Sequence, residues 1–205
     1  MPPSSSLAEM MPLLFSILHD MEWVVPLRHE ALTLVFKAFT ALGYTEFFLA
    51  ALPLLYWCWN RDSANRVAIL TLLAGMLTLF LKDWFQDPRP PAELAVAGTR
   101  PDSYGLPSGH TMMAIVFWGS LALEVGKRWF SIGASIMILG IISSRLYLAV
   151  HDIEDVLIGA VIGIGLLGLL IMKRRNWFRR IKGLHEWWWL LVVPFGLMLF
   201  FPDEG

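Results

Sequence analysis

Three short groups of residues combine imidazole, positive charge and small residues in patterns suited to moving a phosphoryl group: Lys82-x6-Arg89-Pro90, Pro107-Ser108-Gly109-His110, and Ser144-Arg145-x5-His151-x3-Asp155. His151 and Asp155 are four positions apart. A helix starting near Asp152 therefore stacks them on one face, and the carboxylate can hold one imidazole nitrogen. The other nitrogen is then unprotonated and free to attack phosphorus, which makes His151 the candidate nucleophile and phosphohistidine the expected intermediate. His110 follows Ser108 and Gly109 where a helix should begin, and unpaired backbone N–H groups at such an end bind anions. An imidazole there can protonate the departing oxygen as a general acid. Lys82, Arg89 and Arg145 supply positive charge for the phosphoryl oxygens.

Each residue also has a plainer reading. Asp152 and Glu154 are acids in the first turn of the expected helix and are read as complementing its dipole. Lys82, at the end of an apolar run, could snorkel to the interface. Pro107-Ser108 alone would be a turn and N-cap. Arg145 is harder to explain away, because it interrupts an apolar span and is costly there unless it meets a polar cavity or an anion. Glu46, in the outer half of the first span, is a further candidate for the pocket. His19, His29 and His185 have no partners at ligand spacing and are read as surface residues. The single cysteine, Cys58, excludes an intrachain disulfide and a cysteine-based metal site.

These residues need a membrane bundle to position them. The chain has 205 residues, of which 57% are hydrophobic and 16% charged, and its mean hydropathy is +0.60. Such a composition belongs in a bilayer. Residues 1–41 mix apolar and charged positions and are read as an interfacial helical segment. Residues 42–205 are expected to form a six-helix core with spans at 42–59, 65–84, 110–125, 129–150, 152–172 and 187–201. The expectation is thus an all-α, polytopic membrane bundle forming a single domain. No positive segment precedes an apolar run at the N-terminus, so no cleaved signal is expected. Residues 85–109 form a loop stiffened by prolines 88, 90, 91, 101 and 107. The glycines at 159, 163, 165 and 168 permit close packing of the fifth span.

Ten of the sixteen basic residues fall on one side of this arrangement: Arg61, Arg66, Lys127, Arg128, and six between Lys173 and Lys182. That side is expected to be cytoplasmic, which places the 85–109 loop and the junction before the fifth span outside. All three chemical clusters then meet at the extracytoplasmic face of the cell membrane.

The clusters resemble, without substitution, the three signature motifs of the type 2 phosphatidic acid phosphatase (PAP2) superfamily, and they run from 82 to 155. The resemblance implies a membrane phosphatase that works without a metal or other cofactor and in contact with membrane lipids; no nucleic acid is expected, and no protein partner is implied. It implies a lipid phosphate substrate of the undecaprenyl diphosphate, phosphatidate or phosphatidylglycerophosphate type. Phosphotransfer to an acceptor lipid and hydrolysis of a soluble sugar phosphate would use the same residues. A flippase or channel whose charges line a pathway is the non-enzymatic alternative.

Overall fold

The computed structural model describes residues 17–173. Two bent helices, α1 (Glu30–Ala41) and α2 (Thr45–Cys58), are followed by α3 (Arg61–Phe85), α4 (Gly109–Val125), α5 (Arg128–Tyr147) and α6 (Ile153–Lys173). Two short 3-10 helices, Glu22–Leu27 and Ala92–Leu94, lie before α1 and in the long loop after α3. The described residues are all-helical, without strand. Five of the six expected spans correspond to α2 through α6, with starts and ends shifted by a few residues. The sixth, together with most of the basic segment before it, lies outside the described residues.

By length and apolarity alone, α3 and α5 are long enough to cross a bilayer. The pair α1–α2, bent by 54° at its junction, would make a third crossing if counted as one span. The helix α4 is apolar but shorter. Large apolar side chains such as Leu49, Leu72, Leu79, Ile132, Leu139 and Val161 are more than half exposed along the helices. An apolar exterior of this kind suits contact with lipid. The exposed Trp57, Trp84 and Trp129 sit near helix ends, at the level where an amphipathic ring meets headgroups.

The central element is α4, packed against α3, α5 and α6. Its small and apolar positions drive this: Ala74 of α3 with Met112 and Val116 of α4 form one core cluster, and Phe48, Val67, Phe117 and Leu121 form another deeper in the bundle. Away from the chemical clusters, Arg66 of α3 reaches the buried Glu124 of α4, with Nε 2.8 Å from Oε1, while the Ser63 hydroxyl donates to Glu124 at 2.7 Å. A charge pair buried this way is tolerated because its hydrogen bonds are satisfied.

The N-terminal region is tied closely to the bundle. The helix α1 lies across the last two turns of α5: the Phe36 ring packs tilted against Tyr147, with centroids 4.4 Å apart, and the backbone of Gly140 receives the Phe39 ring, which a Cβ would meet at 2.4 Å. Met21 and Val24 are buried against Ala149, Leu94 and Leu146. Apolar and charged patterning in residues 1–41 does not show how tightly α1 packs against α5.

Candidate functional site

The short connection between α5 and α6 carries His151, which is 1% exposed. Ala149 opens this turn with φ +51°, a left-handed conformation costly for a residue bearing a Cβ. The turn brings His151 Nδ1 to 2.7 Å from Asp155 Oδ2 in the first turn of α6. The carboxylate accepts, so Nδ1 carries the proton and Nε2 is the basic nitrogen. Burial, then the neighbouring cations Arg89, Arg145 and Lys82, push the His151 pKa well below the usual histidine value. The ring is therefore neutral near pH 7. Asp152 is placed differently from a surface dipole partner: it is buried, its Oδ1 accepts from the Asp155 backbone N–H at 2.9 Å, and burial raises its pKa. Its other oxygen is 3.6 Å from His19 Nε2, which also lies 3.2 Å from Glu154. His19 is thus no isolated surface residue, contrary to the expectation from spacing.

Three cations converge on this imidazole. Arg89 Nη1 lies 3.2 Å from His151 Nε2 and donates to the Val150 carbonyl at 2.6 Å, while its Nη2 donates to Ser103 Oγ at 3.0 Å. Burial, with Arg100 adding to it, lowers the Arg89 pKa to about 10, leaving the guanidinium charged at neutral pH. Lys82, at the end of α3, is buried and donates to the carbonyl oxygens of Tyr104 and Gly105. Arg145 is 0% exposed. Its Nη1 donates to Thr40 Oγ1 at 3.2 Å, and its Nε and Nη2 have no hydrogen-bond partner among the described residues. Since Ser144 Oγ donates to the Ile141 carbonyl, the 2.7 Å contact between Thr40 and Ser144 runs from Thr40 to Ser144. Thr40 is then an acceptor toward Arg145, which holds one end of the guanidinium.

His110 stands in the first turn of α4, its ring edge-on to Tyr44 at 5.0 Å between centroids, with Nε2 shielded from solvent and without a hydrogen-bond partner among the described residues. It is within electrostatic reach of all three cations. Gly43 passes close beneath the imidazole: a Cβ there would meet its Cδ2 at 2.5 Å. At the helix start the expectation needs correction. Ser108 was expected to offer a free backbone N–H, but that group donates to the Asp155 carbonyl at 3.0 Å. The anion-binding donors left in the first turn belong to Gly109 and the residues after it. Glu46 is also corrected: it is exposed in the first turn of α2, and the groove beside it is lined by Tyr44, Thr45, Phe48 and Leu49 but not by Glu46.

Thr40, Tyr44, Asp152 and His19 are the contributors that spacing did not reveal. Asp87 approaches too, since a Cβ on Gly105 would sit 2.9 Å from Asp155 Oδ2 and 3.3 Å from Asp87 Oδ2. Among the described residues, no group of three or more His, Cys, Asp or Glu side chains is placed to hold a metal ion.

The three clusters thus surround one imidazole. The PAP2 superfamily pattern matches residues 63–180, which contain all three. The chain belongs to the PAP2 superfamily. Among similar PAP2-type relatives, lipid phosphate phosphatase delta of Arabidopsis thaliana is 28% identical over 159 residues, covering 69% of this chain and 38% of that protein. Sphingosine-1-phosphate phosphatase 2 of Mus musculus is 27% identical over 143 residues, covering 66% of this chain and 40% of its own length. This chain therefore spans about two fifths of the curated relatives it matches. In fold it is similar to the transmembrane PAP2 type phosphatidylglycerolphosphate phosphatase of Bacillus subtilis, with TM-score 0.67, 23% identity, and coverage of 86% of this chain and 98% of that one. It is also similar to LpxE of Aquifex aeolicus, with TM-score 0.62, 24% identity, and coverage of 74% and 92%. These matches and the apolar exterior make the chain a membrane protein of PAP2 type.

Proposed function

We propose that this protein is an integral membrane lipid phosphatase that hydrolyses a lipid phosphomonoester or diphosphate through a phosphohistidine on His151. The observation that carries the reading is the His151 ring: Asp155 holds Nδ1 at 2.7 Å, so Nε2 is the basic nitrogen, and Arg89 stands 3.2 Å from it. Nε2 attacks phosphorus and forms the N–P bond as the ester P–O bond breaks. His110 protonates the leaving oxygen. Water, deprotonated by His110, then attacks the phosphohistidine, releasing inorganic phosphate and regenerating the imidazole. Lys82, Arg89, Arg145 and the backbone N–H of Gly109 hold the phosphoryl oxygens and balance their charge in the transition state. Ser108 contributes by anchoring that helix start rather than by its own N–H.

The whole chain acts as one membrane-embedded domain of six spans in the cell membrane, with the site at the extracytoplasmic face, as its basic residues indicate. The names of its relatives add sphingosine-1-phosphate to the candidate lipids. The test is phosphate release in mixed micelles from phosphatidate, phosphatidylglycerophosphate, undecaprenyl diphosphate, sphingosine-1-phosphate and a short soluble ester. Release that survives EDTA, is blocked by vanadate and is lost in His151→Ala is the expected result. Lipid transport without phosphate release would replace this reading with the flippase alternative.

A further inference from the structure

We infer that Gly105 is a positioning residue for the nucleophile: its bare Cα is the wall that fixes the rotation of the Asp155 carboxylate, and through it the proton on His151 Nδ1. The inference rests on the phosphatase reading above. Gly105 lies outside the three chemical clusters, in the loop between Arg89 and Pro107.

The backbone of Asp155 is held at both ends. Its N–H donates to Asp152 Oδ1 at 2.9 Å, and its carbonyl accepts from the Ser108 N–H at 3.0 Å. The side chain is held at one point only. Oδ2 accepts from His151 Nδ1 at 2.7 Å, while Oδ1 is buried and has no hydrogen-bond partner among the described residues. The last torsion of an aspartate is broad and roughly two-fold, so a carboxylate tethered by one oxygen can swing about it. Something other than a hydrogen bond has to stop that swing.

Gly105 stands beside both oxygens. A Cβ on it would lie 2.9 Å from Asp155 Oδ2 and 3.1 Å from Oδ1. The carboxylate therefore occupies space that a side chain at this position would need. Gly105 is itself fixed, because its N–H donates to the Asp87 carbonyl at 2.8 Å and its carbonyl accepts from Lys82 Nζ at 3.4 Å. Asp87 closes the far side, with Oδ2 3.3 Å from the same Cβ position. The φ of Gly105 lies outside the left-handed region, so the backbone alone would accept alanine. What the position refuses is the methyl group, pinched between two carboxylates. The half-buried Asp87 side chain can give way. That of Asp155 can do so only by leaving His151.

The test starts from the His151 Nδ1 proton. It is buried and bonded to a carboxylate, so it gives a downfield NMR resonance in the micelle-embedded protein, identified by its absence in His151→Gln. Gly105→Ala should displace that resonance, and an unmoved resonance overturns the inference. In phosphate release from a short soluble ester, Gly105→Ala should lower kcat roughly 10²-fold while KM stays within about twofold. Adding Asp87→Ala gives the methyl group room on the far side. The double variant should regain the wild-type resonance and at least about fivefold in kcat over Gly105→Ala, and no recovery overturns the pinched geometry. An Asp155→Ala background covers the case in which Gly105→Ala alone does not fold. With no carboxylate to displace, Gly105→Ala should there cost less than about twofold further, and a full second loss overturns the role. A wild type that releases no phosphate ends the phosphatase reading, and the resonance then decides the placement of Asp155 by itself.

Discussion

The Ser108 backbone N–H donates to the Asp155 carbonyl at 3.0 Å, joining the start of α4 to the first turn of α6. One main-chain bond thus sets the distance between the helix that carries His110 and the helix that orients His151. Gly159, one turn further along α6, lets this approach happen: a Cβ there would lie 2.7 Å from the Ser108 carbonyl oxygen.

Gly159→Ala should therefore separate the two halves of the site. A displacement of this size costs roughly 10²-fold in kcat, with a stability loss of about 1–3 kcal/mol from overpacking. Steady-state kinetics and thermal unfolding of the purified variant check it. A variant with wild-type kcat would mean that the helix junction tolerates movement.

Asp155→Asn preserves shape but removes the acceptor that keeps the proton on His151 Nδ1. Kcat should drop by between about 10² and 10⁴, and acid-labile phosphoenzyme should accumulate more slowly in rapid-quench trapping. Unaltered phosphoenzyme formation would assign Asp155 to packing alone.

The His151 pKa is lowered by burial and by its cationic neighbours. The reactive form is neutral, and a lowered pKa keeps it neutral as pH falls below the ordinary histidine value of about 6.5. The acidic limb of the kcat/KM profile should accordingly lie below pH ~6.5. Replacing Arg89 by Gln removes one depressing charge and should move that limb upward. A limb that moves down on this substitution would contradict the electrostatic account.

His19 reaches Glu154 at 3.2 Å and Asp152 at 3.6 Å, and Asp152 in turn accepts from the Asp155 N–H. His19→Gln should weaken this support modestly, lowering kcat by about threefold, because a partly exposed contact of this kind contributes little. When the imidazole is protonated the contact is an ion pair, and the loss should then shrink at high salt, which screens the wild-type pair. Measuring kcat of both proteins across a salt series distinguishes this from simple loss of packing, which salt would not mask.

Much of the site was legible because it is local. The spacing of His151 and Asp155 required only a helix beginning between them, and α6 begins at Ile153. The expected start of the third span, His110, is one residue from the observed Gly109. What could not be read comes from distant chain. Thr40 meets Ser144 across 104 positions, and Tyr44 meets His110 through the bend after α1; apolar periodicity does not encode such crossings. Ser108 illustrates a different limit. A helix start has free N–H groups by default, and only the tertiary position of the Asp155 carbonyl shows that one is taken. Glu46 failed on rotation, since a span can be located by composition while the face each residue presents depends on its neighbours.

The carbonyls of Tyr104, Gly105 and Val150 and the hydroxyl of Ser103 already accept hydrogen bonds from Lys82 and Arg89. At Lys82 and Arg89, an incoming anion does not meet bare charges. It exchanges one set of oxygen atoms for another, so its affinity is the difference between two charge-assisted sets and falls well short of the sum of the new contacts. The same exchange run backwards gives the departing phosphate a competitor already tethered in place.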